Sequence, residues 1–120
     1  PYALWEHPPA LGRIPPHRTD VGSYLLAECF GSKRFILVKD VDGLYSADPN
    51  QDSKAEFIPE ISVNEIKERG MTSLPFEEVL LDLLPKGRLM REMRIVNGLK
   101  PELVTAALNG EEVGTRVFAD

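Results

Sequence analysis

The chain has 120 residues, 42% of them apolar and 28% charged, with a formal net charge of −5. That length is one domain's worth of polypeptide or part of a larger one, and the composition is that of a globular protein rather than a disordered tail. The acidic balance argues against a nucleic-acid binder held by bulk charge, and the longest apolar run, Phe35-Ile36-Leu37-Val38, falls far short of the roughly 20 residues of a membrane span.

Residues 1–18 read as an irregular, proline-rich arm. It opens on Pro1 rather than methionine, as a processed piece or a fragment would, and Pro8-Pro9 and Pro15-Pro16 exclude a long helix or a central strand. Residues 19–120 form the remainder. Thr19 or Asp20 is placed to cap a helix in which Leu25, Leu26, Cys29 and Phe30 recur at helical spacing before Gly31 ends it. Cys29 is therefore expected in the core. As the only cysteine it can close no internal disulfide and build no zinc site, which makes a reducing compartment the default. Phe35 to Lys39 fits a short strand buried on both faces. Asp42-Gly43 and Asp48-Pro49 are turn signals around Leu44-Tyr45, and Phe57-Ile58 is a short strand ended by Pro59. Ser62-Val63-Asn64-Glu65 spells a capping box for a helix that runs to Arg69 and stops at Gly70. Phe76 to Met93 is expected to be mostly helical, with Val79, Leu80, Leu83 and Leu84 on one face and Pro85 and Gly87 interrupting it. Arg94 to Val96 reads as a strand and Asn97-Gly98 as a turn. Pro101 to Leu108 reads as a helix opened by its proline, and Thr115 to Phe118 as the last strand.

Helix and strand alternate, which favours an α/β fold with a mainly parallel sheet and helices packed on its faces. Ligands of such sheets sit beyond the carboxyl ends of the strands, here in the loops 39–49 and 97–100. The first loop is the densest polar cluster: Lys39, Asp40, Asp42, Gly43, Leu44, Tyr45, Asp48 and Pro49. Tyrosine can stack on a base, aspartate can accept from ribose hydroxyls and lysine can face phosphate, so the cluster suits a nucleotide; an ordinary acidic turn is the plain alternative. Val41 and Leu44 break the ligand alternation of a calcium loop. Arg18-Thr19-Asp20 at a helix start offers a seat for an oxyanion, with Asp20 placed to orient a lysine, or else a cap and nothing more. His7 and His17 are candidate contacts for a metal or oxyanion, at a spacing that matches no metal geometry. No serine-nucleophile, zinc-protease or Walker A motif is present.

These residues carry a resemblance. The run from Lys39 to Pro49 resembles the nucleotide-binding signature of the amino acid kinase superfamily, which includes uridylate kinase and aspartokinase. Arg18-Thr19-Asp20 is similar to its Thr-Asp substrate segment, and Val96-Asn97-Gly98 through Thr115 to its closing motif. The match spans essentially the whole chain and corresponds to the C-terminal half of such a kinase. Arg13-Ile14-Pro15-Pro16-His17-Arg18-Thr19-Asp20, with Phe57-Ile58-Pro59 and Val96-Asn97-Gly98-Leu99, more narrowly resembles the molybdenum storage family; uridylate kinases approach Thr-Asp without the Ile-Pro-Pro run.

The resemblance implies a three-layer αβα sandwich and a cytoplasmic ATP-binding subunit. With homologous subunits in a closed hexamer, it would store molybdate or tungstate as oxide clusters. Lys39, Tyr45 and Asp48 would contact the adenosine part of ATP, and Asp42, Gly43, Leu44 and Pro49 would shape that pocket. Thr19, Arg18 and His17 would lie near the phosphoryl or oxoanion end, with Asp20 as the organising carboxylate. Magnesium would bridge phosphate oxygens. Two departures follow from the residues present. The family's phosphate-gripping Lys-Gly-Gly segment is missing, so these residues alone are not expected to transfer a phosphoryl group. The histidine run of one storage subunit type is replaced by Ala3-Leu4-Trp5-Glu6-His7. The competing expectation is a small-molecule kinase acting on a nucleoside monophosphate such as UMP; a degenerate partner subunit is a third.

Overall fold

The computed structural model describes residues 17–120. The stretch 1–16, including His7 and most of the expected arm, lies outside them. Along the chain run α1 (Thr19–Phe30), β1 (Ile36–Lys39), β2 (Leu44–Tyr45), β3 (Phe57–Ile58), β4 (Glu60–Ser62), α2 (Val63–Arg69), α3 (Leu80–Leu83), β5 (Glu92–Asn97), α4 (Pro101–Leu108) and β6 (Thr115–Phe118). Four strands form one sheet in the order β1-β5-β6-β4, while β2 and β3 pair as a separate antiparallel ribbon. β1 runs parallel to β5 and β4 parallel to β6, whereas β5 and β6 are antiparallel. The α/β architecture with a mainly parallel sheet is thus the one expected.

The pleat sends alternate side chains to opposite faces. Leu37, Met93, Ile95 and Val117 point to one face, where α1, α2 and α3 supply Val21, Tyr24, Val63, Ile66, Leu80 and Leu81 to the main core. α4 packs along β5 and β1, and its buried Ala107, like Val96, falls outside that core. Helices therefore flank the sheet on both sides. α2 opens as its sequence dictates: Ser62 Oγ accepts from the Glu65 amide at 3.1 Å. The other half of the box is replaced, since the Glu65 carboxylate pairs with Arg69 one turn on.

Four expectations need correcting. The inward face of α1 is Val21, Tyr24 and Ala27, so Cys29 is exposed and Phe30 is 77% exposed. Tyr24 decides this. Its hydroxyl donates to the Met90 carbonyl at 2.8 Å, and its ring meets Phe35 edge-on at 5.8 Å, fixing the helix a fraction of a turn away from the Leu26–Phe30 stripe. β1 is not buried on both faces, for it lies at an edge of the described sheet and Val38 is 51% exposed. The stretch 76–93 is helical only over Leu80–Leu83 and a single 3-10 turn at Leu84–Lys86. Pro85 removes an amide there. Beyond it the amides of Arg88, Leu89 and Met90 point to the Glu28 carboxylate at 2.7–3.2 Å instead of to helix carbonyls. Finally, the chain resumes after Pro59 as β4, a strand that only pairing with β6 makes visible.

Candidate functional site

β1 and β5 are adjacent and parallel, so their carboxyl ends release the loops 40–49 and 97–100 side by side. Lys39, the last residue of β1, reaches the first turn of α1. Its Nζ lies 2.8 Å from Asp20 Oδ1 and 3.0 Å from Oδ2, and both side chains are largely shielded. The sequence-level idea that Asp20 orients a lysine is realised in this pair.

The helix start does not offer the open anion seat expected of it. A carboxylate of the protein itself sits there. Glu77 accepts from the Arg18 amide at 2.8 and 2.9 Å, from the Asp20 amide at 3.1 Å and from the Val21 amide at 3.4 Å. In return the Glu77 amide donates to Asp20 Oδ2 at 3.1 Å. Arg18, extended at φ −116° and ψ −156°, is the N-cap, and the cap's acceptor comes from 59 residues away. Asp20 is thereby gripped from both sides, by Lys39 and by Glu77. The pair faces a cavity of about 870 Å³ also lined by His17, Arg18, Thr19 and Asp40.

Asp42 joins the two loops. Its carboxylate accepts from Asn97 Nδ2 at 3.0 Å, from Lys100 Nζ at 2.9 Å and from the Tyr45 hydroxyl at 3.3 Å. The Asn97 amide first, and the Lys100 ammonium second, hold its carboxyl below the usual range. Burial, and then the Asp42 charge, push the Tyr45 phenol up. Asn97 is itself buried and accepts the Leu99 amide at 2.9 Å, closing the tight turn at the end of β5. Gly43 has φ +153°, and a Cβ there would stand 2.3 Å from Thr115 Oγ1. Only glycine lets the loop pass so close to β6. Thr115 uses the proximity: its hydroxyl accepts from the Leu44 amide at 2.8 Å and donates to the Ile58 carbonyl at 2.6 Å, fastening the β2-β3 ribbon to the sheet.

Tyr45 and Asp48 line a different cavity, of about 560 Å³, with Ser46, Gln51, Arg69 and Thr72. The Tyr45 ring stands edge-on to Phe57 at 5.6 Å, and Asp48 Oδ1 accepts from the Asn50 amide at 2.9 Å. Leu44 is fully buried and contributes backbone only, while Pro49 is exposed. The residues singled out in sequence thus divide in two. Lys39 goes with Asp20, Thr19, Arg18 and His17, whereas Tyr45 and Asp48 line the second space. Glu77 and Thr115 were not singled out as site residues, and Asn97 and Lys100 entered only as the ends of the second candidate loop. Asn97-Gly98 was visible as a turn following a strand; nothing in the local sequence marks Glu77. Among the described residues no three His, Cys, Asp or Glu side chains cluster as a metal site.

The arrangement is a lysine held ready by a carboxylate at one cavity and an aromatic–acidic wall at another, both hung on one loop. Comparison with known proteins gives it a family. Over residues 8–97 the chain matches the amino acid kinase family. It is 52% identical over 119 residues, 99% of its length, to the molybdenum storage protein subunit beta of Azotobacter vinelandii, covering 44% of that protein. It is 35% identical to the uridylate kinase of Methanobrevibacter smithii over 90% of its own length and 50% of the kinase. The uridylate kinase structure from Archaeoglobus fulgidus superposes with a TM-score of 0.68 at 32% identity, over 86% of this chain and 48% of that one. The UMP kinase of Bacillus anthracis, at 22% identity and a TM-score of 0.75, shares the fold over 87% of this chain and 41% of its own. The chain therefore spans about half the length of the relatives it matches, and it belongs to the amino acid kinase family.

Proposed function

We propose that this chain is the nucleotide-binding part of an oxometalate-storage subunit. It binds ATP beyond the carboxyl ends of β1 and β5 and, with homologous subunits, accumulates molybdate or tungstate as oxide clusters. The observation that carries this reading is the 52% identity, over 99% of the chain, to a molybdenum storage subunit. The geometry fits it. Tyr45 and Asp48 suit the nucleoside. Lys39, held by Asp20 beside Thr19, suits the phosphates better than the adenosine contact expected from sequence, because its ammonium lies 2.8 Å from a carboxylate at the first cavity, away from the Tyr45 wall. ATP brings its own magnesium, which neutralises phosphate charge; the protein's part is to position the phosphates with Lys39 and the Thr19 hydroxyl.

The test is to incubate the complete subunit with MgATP and molybdate, desalt it by size exclusion and measure molybdenum per subunit by elemental mass spectrometry. Many metal atoms per subunit, dependent on ATP and co-eluting with a large oligomer, are expected. The second reading is a uridylate kinase-like transferase, favoured by the relatives at 35% identity. A metal stoichiometry near zero, with ATP turnover stimulated by UMP, would decide for it.

A further inference from the structure

The face of the sheet turned toward α4 carries an arrangement that packing does not account for. In the β5-β6 register Arg94 lies directly opposite Arg116. The Arg94 amide bonds outward to the Phe35 carbonyl and the Arg116 amide outward to that of Pro59. This is therefore a non-hydrogen-bonded pair, the kind whose side chains stand closest, and like charges so placed repel. Carboxylates are shared unevenly between them. Arg116 holds both Glu60 and Glu92, and its guanidinium lies 4.5 Å above the Phe118 ring. Arg94, half-buried, is left with one neutral acceptor, the Val113 carbonyl at 2.8 Å.

A third guanidinium stands nearby. Arg34 packs so close to Gly110 that a Cβ there would fall 2.5 Å from its Nη2, yet among the described residues Arg34 makes no hydrogen bond or ion pair. Arg34, Arg94 and Arg116 line one cavity of about 120 Å³ between the amino ends of β1 and β5 and the end of α4, with Glu92 the single acid in its wall. In a chain of net charge −5 this is a local positive well. The space admits one small ion and excludes a nucleotide.

We propose that this cavity binds a phosphate-sized tetrahedral oxyanion, gripped by Arg34 and Arg94 and backed by Arg116. Guanidinium forks match the paired oxygens of such an ion, and an anion between them turns the Arg94–Arg116 repulsion into shared attraction. The carbonyls ending α4 oppose an anion, but that effect is confined to the last turn and is weaker than a charge-assisted hydrogen bond. The cavity lies at the opposite end of β1 and β5 from Lys39 and Asn97, so its ion is a second one, separate from any handled at the candidate site.

Inorganic phosphate and molybdate, titrated calorimetrically into the full chain at fixed ionic strength with chloride as the balancing anion, test it. Wild type is compared with Arg34→Gln, Arg94→Met and Lys39→Met. A saturable component is expected that either arginine substitution weakens about tenfold or more; any ion held at Lys39 adds a separate component, and Lys39→Met removes that one alone. Arg94→Met should melt no lower than wild type without the anion, and its melting temperature should rise less than that of wild type when the anion is added. Preference for phosphate or for molybdate tells which source of the oxyanion the site serves. No saturable binding, or saturable binding that neither arginine substitution weakens, overturns the proposal.

Discussion

Two carboxylates in this molecule do the same thing in different company. Glu28 accepts the amides of Arg88, Leu89 and Met90; Glu77 accepts those of Arg18, Asp20 and Val21. Each fastens a distant segment to α1 by its backbone, Glu28 near the carboxyl end of the helix and Glu77 at its start. The Glu28 clasp ends there, a device that holds an extended segment in place. The Glu77 clasp continues through Asp20 to Lys39 and so into a cavity. The difference teaches that a carboxylate seated among amides is not a site in itself. What matters is whether the group it steadies has somewhere to act.

The largest expected effect comes from releasing the second clasp. Glu77→Ala frees Asp20 on one side and is expected to weaken ATP binding by the complete subunit about tenfold to a hundredfold, as misplacement of a positioned group does. Its cost in stability is that of a lost helix cap, about 1–2 kcal/mol. Glu28→Ala should show the inverse, a lower melting temperature with unchanged ATP affinity. Denaturation and nucleotide titration of the two variants side by side measure this. Equal loss of affinity in both would erase the distinction drawn between them.

Next in size is the wall of the second cavity. Tyr45→Ala with Asp48→Ala is expected to weaken ATP binding about tenfold, through loss of stacking and of a charged acceptor. Fluorescent-nucleotide titration checks it, and unchanged affinity would sink the nucleoside assignment. Tyr24→Phe comes third, at about 1 kcal/mol for the hydroxyl that meets the Met90 carbonyl. Burial, with Glu28 nearby, pushes the Tyr24 phenol up to about 12. The unfolded chain therefore gives up that proton first, near the ordinary value of 10, and stability falls as pH rises from there. Chemical denaturation at alkaline pH should show a shallower decline in the phenylalanine variant.

The smallest effect is at acid pH. The amides of Met90 and Arg88 hold the Glu28 carboxyl below its ordinary value. Its contribution is present above the unfolded carboxylate's pKa and is lost as pH falls through the lower, folded one. Glu28→Gln should flatten that acid limb in a urea series, and an unaltered limb would mean that the carboxylate of Asp42 or another acid supplies it.

What could be read in sequence and what could not divide along the same line. Ser62 as a cap, Pro101 as a helix opener and the loop after β1 as a polar cluster all depend on neighbours a few residues apart, and the structure has each of them. The inward face of α1, the extended run after Pro85 and the occupied helix start were misread because each depends on a partner about 60 residues distant. Propensity favoured helix over 76–93, and the amides given to Glu28 overrode it. Asp20 was legible as a residue that could orient a lysine. Glu77, which orients Asp20, was not: a glutamate before a leucine-rich stretch looks like any first-turn acid.

The length of chain between Glu77 and the helix it caps also bears on the order of folding. Ser62 can accept the Glu65 amide as soon as a few residues have emerged, but Glu77 meets Arg18 only when 59 residues have been brought round. The sheet closes a loop as long when Val38 pairs with Val96, but buried apolar surface rewards that pairing, whereas the Glu77 contact with the Arg18 amide is exposed and is among the first to open. The lysine–aspartate pair is thus expected to assemble after the core has condensed, and to come apart before it does. Hydrogen exchange reads this directly: the amides of Asp20 and Val21 should exchange faster than those of Ile95 and Val96 in the central strand, and equal protection would show that the site and the core open as one.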